Sequence, residues 1–193
     1  MAAETSNLNK FALFPTLIAH YDFSKDPDIK GLADFISTEK TESHRLLPGA
    51  VSSYGTEKNI LNDVRFAGIR SRLQESVNDY VSELGVASVK ITNSWFNDLG
   101  VGQRVDNHRH EMSVVSGALY LHADEGSAAL RFYSPLASLR MHEDVRTENS
   151  VSANFIDMPC ETGLLILFPS WLEHSTEVNQ TRSRITLSFN TDY

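Results

Sequence analysis

Cysteine is almost absent from this chain. Cys160 is the single one in 193 residues, so no internal disulfide can form, and a reducing, cytoplasmic setting is expected. Long apolar runs are missing too: no stretch approaches the ~18 consecutive apolar residues of a membrane span. The segment from Met1 to Lys10 has no basic stretch leading into an apolar one. Neither membrane insertion nor export is therefore expected. Basic residues are in the minority, 17 Lys and Arg against 25 Asp and Glu, for a net charge of −8. Binding a phosphate backbone needs clustered cations that release counterions, so a nucleic-acid partner is disfavoured. Repeats and low-complexity tracts are also lacking. What remains is an ordinary globular composition, 41% hydrophobic and 22% charged, in a chain long enough for one domain with one sizeable core.

The first 87 residues read as a support region of helices and one strand. Phe11 to Tyr21 is a lead-in strand interrupted by Pro15, of the kind found at a sheet edge, where it can pair across a homodimer. After Asp26-Pro27, the residues Ile29, Leu32, Phe35 and Ile36 recur at helical spacing up to Thr38. Glu39 to Lys58 carries turn signals without a period and reads as an irregular loop. Val64, Ile69, Leu73, Val77, Tyr80, Val81 and Leu84 then mark a helix from about Asn62, stopped by Gly85.

Residues 88–193 have strand texture. Strands are predicted at Val89 to Asn97, Val114 to Leu121, Ala128 to Tyr133, Gly163 to Phe168 and Arg184 to Asn190. The polar stretch Leu136 to Ala153 reads as a long loop, either a substrate lid or a solvated surface segment. About eight short strands after a helical segment suggest an α+β protein: a jelly-roll-like double sheet with the N-terminal helices packed on one sheet.

Two patterns carry chemistry. His108 and His110 are two residues apart, so in an extended strand their rings share a face and can converge on one ion, with His174 as a third donor downstream. A pair of surface histidines in a polar loop satisfies the same spacing. In the last strand, Ile185, Leu187 and Phe189 form one face and Arg184, Thr186, Ser188 and Asn190 the other. That polar face is either solvated or the lining of a pocket inside a barrel.

Together these residues carry a resemblance. His-x-His, then Ser-Gly-Ala-Leu-Tyr-Leu, then Pro-x-x-x-Gly-Leu-Leu-Ile-Leu-Phe-Pro-Ser-Trp-Leu-x-His, then Arg-x-x-x-Ser-Phe-Asn resembles the 2-oxoglutarate and Fe(II)-dependent dioxygenase superfamily over roughly Asn93 to Asn190. The closest likeness is to its branch with Ser-Gly-x-x-Tyr-Leu, Phe-Pro-Ser-Trp-Leu-x-His and Arg-Ile-x-x-Ser-Phe-Asn. The resemblance implies a double-stranded β-helix holding Fe(II) and 2-oxoglutarate, and hydroxylation of a second substrate with release of succinate and carbon dioxide. That substrate would be a small molecule or a protein or peptide side chain. By the same resemblance His108 and His174 are metal ligands, Arg184 pairs with the C5 carboxylate of 2-oxoglutarate, and Tyr120 and Ser188 supply hydroxyls to it. A guanidinium fork suits a carboxylate, and hydroxyls satisfy the oxygens left over.

The sequence departs from the superfamily at one ligand. Two histidines and a carboxylate are usual, but the position two after His108 is His110. Glu111 has the wrong strand parity, and Asp106 has the right one but reads as a turn or supporting residue. The expectation is that His110 takes the third position, leaving a more positive site. Two other readings stay open. Gly102-x₅-His108-x-His110, with Pro159-x₃-Gly163 and His174, also echoes a cupin, which would be a three-histidine metal dioxygenase without 2-oxoglutarate. A jelly-roll binding protein without catalysis is the other. Trp95, Phe132, Phe168 and Trp171 could wall the pocket or be ordinary core. His20, His44, His122 and His142 have no partner at ligand spacing, and nothing around Cys160 marks a reactive thiol.

Overall fold

The computed structural model describes residues 13–38, 42–43, 50–56, 59–139 and 152–193. Among these, the strands are β1 (Ala19–Asp22), β2 (Glu42–Ser43), β3 (Val51–Ser52), β4 (Lys90–Asp98), β5 (Val115–Ala123), β6 (Leu130–Tyr133), β7 (Phe155–Met158), β8 (Leu164–Pro169), β9 (His174–Thr176) and β10 (Arg184–Asp192). The helices are α1 (Asp28–Thr38) and α2 (Ala67–Leu84). A seven-stranded sheet runs β1-β8-β5-β10-β4-β3-β2, and a three-stranded sheet runs β7-β6-β9, all pairs antiparallel. The two sheets face each other as a double-stranded β-helix, the expected architecture.

Alternation along the strands explains why this sheet is covered on both sides. Leu119, Leu121, Leu165, Leu167, Ile185, Leu187 and Phe189 join the helices in one core, while Ala118, Tyr120, Ile166 and Phe168 join Leu130 and Phe132 of the smaller sheet and Leu172 of the turn before β9 in another. Each of β5, β8 and β10 thus contributes one parity to the helices and the other to the barrel interior. The polar parity of β10 is interior: Arg184, Thr186 and Asn190 are buried, and Ser188 lines the cleft. Solvent is excluded as its partner. Gly117 lies opposite Phe189, and a Cβ there would sit 2.2 Å from Phe189 Cζ, so the ring closes over a position only glycine leaves open.

Helix α2 buries Ile69, Leu73, Val77, Tyr80 and Val81 as a single stripe. An isolated helix of this length is marginal in water, so this stripe against the sheet decides its formation. Gly85, at φ 65°, ends it by donating to Ser82 and Val81 carbonyls. The helix starts five residues later than predicted, because Asp63 accepts the Arg65 N–H and breaks the segment into two short 3₁₀ turns, Ile60–Asn62 and Val64–Phe66. Asp26 accepts the Asp28 N–H at the head of α1 at 2.9 Å, and Arg72 bridges Asp26 and Asp28 at 2.5 and 2.7 Å, joining the two helices.

Several expectations shift. The lead-in strand narrows to β1, since Leu13 to Ile18 do not pair with a neighbour and Phe11 and Ala12 lie outside the described residues. β1 does occupy a sheet edge, but four residues of free edge supply little interface, and the homodimer draws no support from the fold. Within the expected loop Glu39 to Lys58, β2 and β3 form two-residue strands, too short to show a period; His44 lies outside the described residues. β7 and β9 were not predicted: β7 is exposed from Phe155 to Asp157, with only Met158 packed on the inter-sheet core, and β9 spans three residues that include a histidine. Residues 140–151 of the expected lid, with His142, lie outside the described residues. Among the described residues, no helix is long and apolar enough to cross a membrane.

Candidate metal centre and cosubstrate pocket

The segment from Gly102 to His110 runs alongside β9 and the residues after it, and joins the smaller sheet at an isolated antiparallel bridge between His108 and His174. Gly102 donates to Asn179 and Asn179 to Gln103, Thr176 to Val105, and His108 and His174 exchange a pair of hydrogen bonds at 2.9 Å. His110 N–H donates to the Ser170 carbonyl at 3.0 Å. This pairing sets the strand parity that the His-x-His spacing requires. One ring nitrogen from each of His108, His110 and His174 lies within 4.8 Å of the others.

Two of the rings are fixed in one tautomer. His108 Nδ1 lies 2.8 Å from the Asp106 carbonyl and His174 Nδ1 lies 2.8 Å from the Leu172 carbonyl. A carbonyl only accepts, so each Nδ1 carries the proton and Nε2 keeps its lone pair. The His110 ring makes no side-chain hydrogen bond among the described residues and packs on Trp95, with centroids 5.5 Å apart. Phe168 lies edge-on to His174 at 4.7 Å. Neither carboxylate nearby in sequence joins the three rings: Asp106 pairs with Arg104 at 2.7 Å, and Glu111 is exposed.

Burial disfavours the imidazolium form at all three histidines. Desolvation, and then the neighbouring His108, lower His110 to about 4 and His174 to about 3; His108 is lowered as well, mainly by desolvation. At neutral pH the three rings are uncharged donors, as a metal requires. Because these values lie below the ordinary one near 6.5, protons bind the unfolded chain more tightly. The stability contributed by neutral rings is complete above about pH 6.5 and is lost as pH falls through 4 and 3. The metal-free protein is expected to melt at progressively lower temperature from pH 6.5 to 5, a window in which carboxylates change little. His174→Leu is expected to flatten that slope in thermal denaturation, and an unchanged slope would count against a neutral buried His174.

Arg184 enters the same cleft from β10. It is 2% exposed and donates through Nε to the Ala128 carbonyl at 2.8 Å, through one Nη to Thr186 Oγ1 at 3.1 Å and through the other to Tyr120 Oη at 3.3 Å. No carboxylate of a described residue lies within ion-pair distance of it. A buried cation without a counter-ion calls for an anionic ligand. Burial pushes the Tyr120 hydroxyl up to about 12 against the pull of Arg184, so it stays a neutral donor. The cleft, about 490 Å³ with its open mouth, joins Arg184 and Thr186 to the three histidines, with Trp95 and Phe168 on its walls.

The sequence-predicted residues therefore meet: His108, His110, His174, Arg184 and Ser188 line one cleft, and Tyr120 stands behind it on Arg184. Ser188 makes no side-chain hydrogen bond to Arg184; Thr186 does. Thr186 shares the strand parity of Arg184 and was legible from that alternation. Asn97 was not, since β4 has no clean period; its side chain accepts from Ser52 at 2.6 Å and lines the cleft beside Thr186. Of the proposed aromatic walls, Trp95 and Phe168 line the cleft, Phe132 sits in the inter-sheet core, and Trp171 is 53% exposed. Cys160 is nearer the site than its sequence context suggested, packed against the inter-sheet core. Burial raises its thiol, and the adjacent Arg184 opposes that rise.

Comparison with known proteins agrees with this geometry. A search of curated proteins finds no match. A prolyl-4-hydroxylase from Pseudomonas putida superposes with a TM-score of 0.60 at 16% identity, covering 92% of this chain and 94% of that one. HygX from Streptomyces hygroscopicus, solved with nickel, 2-oxoglutarate and hygromycin B bound, gives 0.63 at 10% identity, covering 92% and 83%. A Trichoplax adhaerens prolyl hydroxylase in complex with a hypoxia-inducible-factor peptide fragment gives 0.59 at 11%, covering 91% and 83%. These likenesses establish the fold. The sequence model of the family described as "Putative 2OG-Fe(II) oxygenase" matches residues 93–190, just over half of the chain and all of the strands that build the cleft between β4 and β10. Because that match spans more than half of the chain, the chain belongs to the 2-oxoglutarate- and Fe(II)-dependent oxygenases.

Proposed function

We propose that this oxygenase is a hydroxylase that holds Fe(II) through His108, His110 and His174 and 2-oxoglutarate through Arg184. The observation that carries the reading is the buried guanidinium, without a carboxylate partner among the described residues, opening into the same cleft as three neutral imidazoles. Fe(II) with 2-oxoglutarate and molecular oxygen would supply the chemistry: one oxygen atom would enter the substrate C–H bond as a hydroxyl and the other the succinate formed as 2-oxoglutarate loses carbon dioxide. Everything else is the work of the chain. Nε2 of His108 and of His174 would be the metal-binding atoms, because carbonyls hold their Nδ1 protons. Arg184 would receive the C5 carboxylate, with the hydroxyls of Tyr120 and Thr186 beside it and Ser188 further along the same strand face. Trp95 and Phe168 exclude water from one side of the site.

The substrate is read as a small molecule or a peptide. HygX was solved with hygromycin B and the Trichoplax enzyme with a peptide, on the same fold. A cupin-type dioxygenase would also use three histidines, but it leaves the buried Arg184 without a role. The deciding experiment is anaerobic titration of 2-oxoglutarate into the Fe(II)-loaded protein. A metal-to-ligand charge-transfer band in the visible, with succinate formed once oxygen is admitted, is the expected result. Fe(II) binding without any response to 2-oxoglutarate would favour the cupin reading, and no Fe(II) binding would leave a binding protein.

A further inference from the structure

The turn from Pro169 to Leu172, between β8 and β9, serves the site although none of its side chains is a ligand. Ser170 O accepts the His110 N–H at 3.0 Å, and Leu172 O accepts from His174 Nδ1 at 2.8 Å. One turn therefore sets the backbone of one histidine and the ring of another. Within it, Trp171 faces solvent, Leu172 packs in the inter-sheet core, and Ser170 is fully buried. Ser170 Oγ lies 2.8 Å from Ser116 Oγ on β5, and Ser116 Oγ donates to Asn190 Oδ1 on β10 at 2.8 Å. A hydroxyl has one proton to give. With the Ser116 proton given to Asn190, Ser170 must donate to Ser116, and the chain of bonds runs Ser170, Ser116, Asn190.

His110 depends on this support more than its partners do. The rings of His108 and His174 are fixed through Nδ1, whereas the ring of His110 rests on Trp95 and is otherwise located by its backbone bond to Ser170. All three members of the hydrogen-bonded chain are buried, at 0, 2 and 7% exposure for Ser170, Ser116 and Asn190, so removing the Ser116 hydroxyl strips both neighbours of a buried bond and removing that of Ser170 takes from Ser116 its donor.

We propose that Ser170, Ser116 and Asn190 form a buried strut that positions His110 and His174 for the metal. They are positioning residues, and the inference rests on the reading of His110 as the third ligand. It also gives a physical role to the Ser of the Phe-Pro-Ser-Trp-Leu-x-His motif and the Asn of Ser-Phe-Asn, which the metal and cosubstrate assignments leave unused.

Co(II) binding to the full chain tests it, with affinity from chelator competition and geometry from the visible d–d spectrum, on variants whose circular dichroism matches the wild type. Ser170→Ala and Ser116→Ala are each expected to weaken Co(II) binding about tenfold, the low end for groups that support ligands, and to shift the spectrum toward that of His110→Ala. The double variant is expected to be no weaker than either single one, because the strut acts as one unit. Should both serine variants bind Co(II) with wild-type affinity and spectrum while His110→Ala is weakened, the strut is overturned and the ligand reading stands. Should His110→Ala also bind as wild type, the ligand reading falls and the strut falls with it. If Ser170→Ala does not fold, Ser116→Ala, which lies outside the turn, decides on the same two readouts.

Discussion

Arg184→Met is expected to weaken 2-oxoglutarate binding by about 10²-fold or more while leaving the ligand-free protein close to wild-type stability. The two effects have one cause. Arg184 is buried, its hydrogen bonds go to a carbonyl and two hydroxyls, and no carboxylate of a described residue neutralises it. An unpaired buried charge costs several kcal/mol, so removing it offsets the hydrogen bonds lost with it. For the bound state the balance reverses. Truncating one partner of a buried, hydrogen-bonded ion pair costs roughly 2–5 kcal/mol, which is about 30-fold to several thousand-fold in affinity. Anaerobic calorimetric titration of the metal-loaded protein measures the affinity, and melting curves with and without 2-oxoglutarate measure the stability. The wild type is expected to gain melting temperature from the ligand and the variant to gain none. A variant that binds 2-oxoglutarate normally would remove Arg184 from the pocket; one whose ligand-free form melts far below wild type would make the guanidinium a structural group.

His174→Ala is expected to lower metal affinity by roughly 10²–10³-fold. Apparent metal-binding energies of about 10–16 kcal/mol over four ligands imply roughly 2.5–4 kcal/mol for each. His174 is held doubly, by its backbone pair with His108 and by the Leu172 carbonyl on Nδ1, so its Nε2 is preorganised and its loss is not made good by a neighbour. His110→Ala is expected to cost less, because its ring has no such hydrogen bond and pays more disorder on binding. His110→Asp supplies the carboxylate usual for the superfamily and is expected to retain or improve Fe(II) binding. Chelator competition with Fe(II) under anaerobic conditions ranks the three. Equal affinities for His110→Ala and wild type would leave a two-histidine site.

Much of this was legible in residue order. The stripe on α2 and the stop at Gly85 follow from period and turn chemistry, as does the alternation of β10. β7 and β9 were not legible: a four-residue strand with three exposed residues in a row shows no period, and three residues are too few to show one. The two short strands β2 and β3 failed for the same reason. At the site, the three histidines and Arg184 were legible because a ligand set and a guanidinium are chemically distinctive, whereas Asn97 and Ser170 were not, since a buried amide or hydroxyl resembles any loop residue until its partners are known.

By itself the sequence determined which residues could bind a metal and a carboxylate, and that His108 and His110 would share a face if extended, because strand parity is a local property of the backbone. Only the tertiary structure decided that the segment is extended, since β9 pairs with it across more than sixty residues of intervening chain and brings His174 with it. It also decided that the polar face of β10 is interior and that Arg184 has no counter-charge among the described residues, for burial and charge pairing are set by what packs opposite, and no local pattern specifies that.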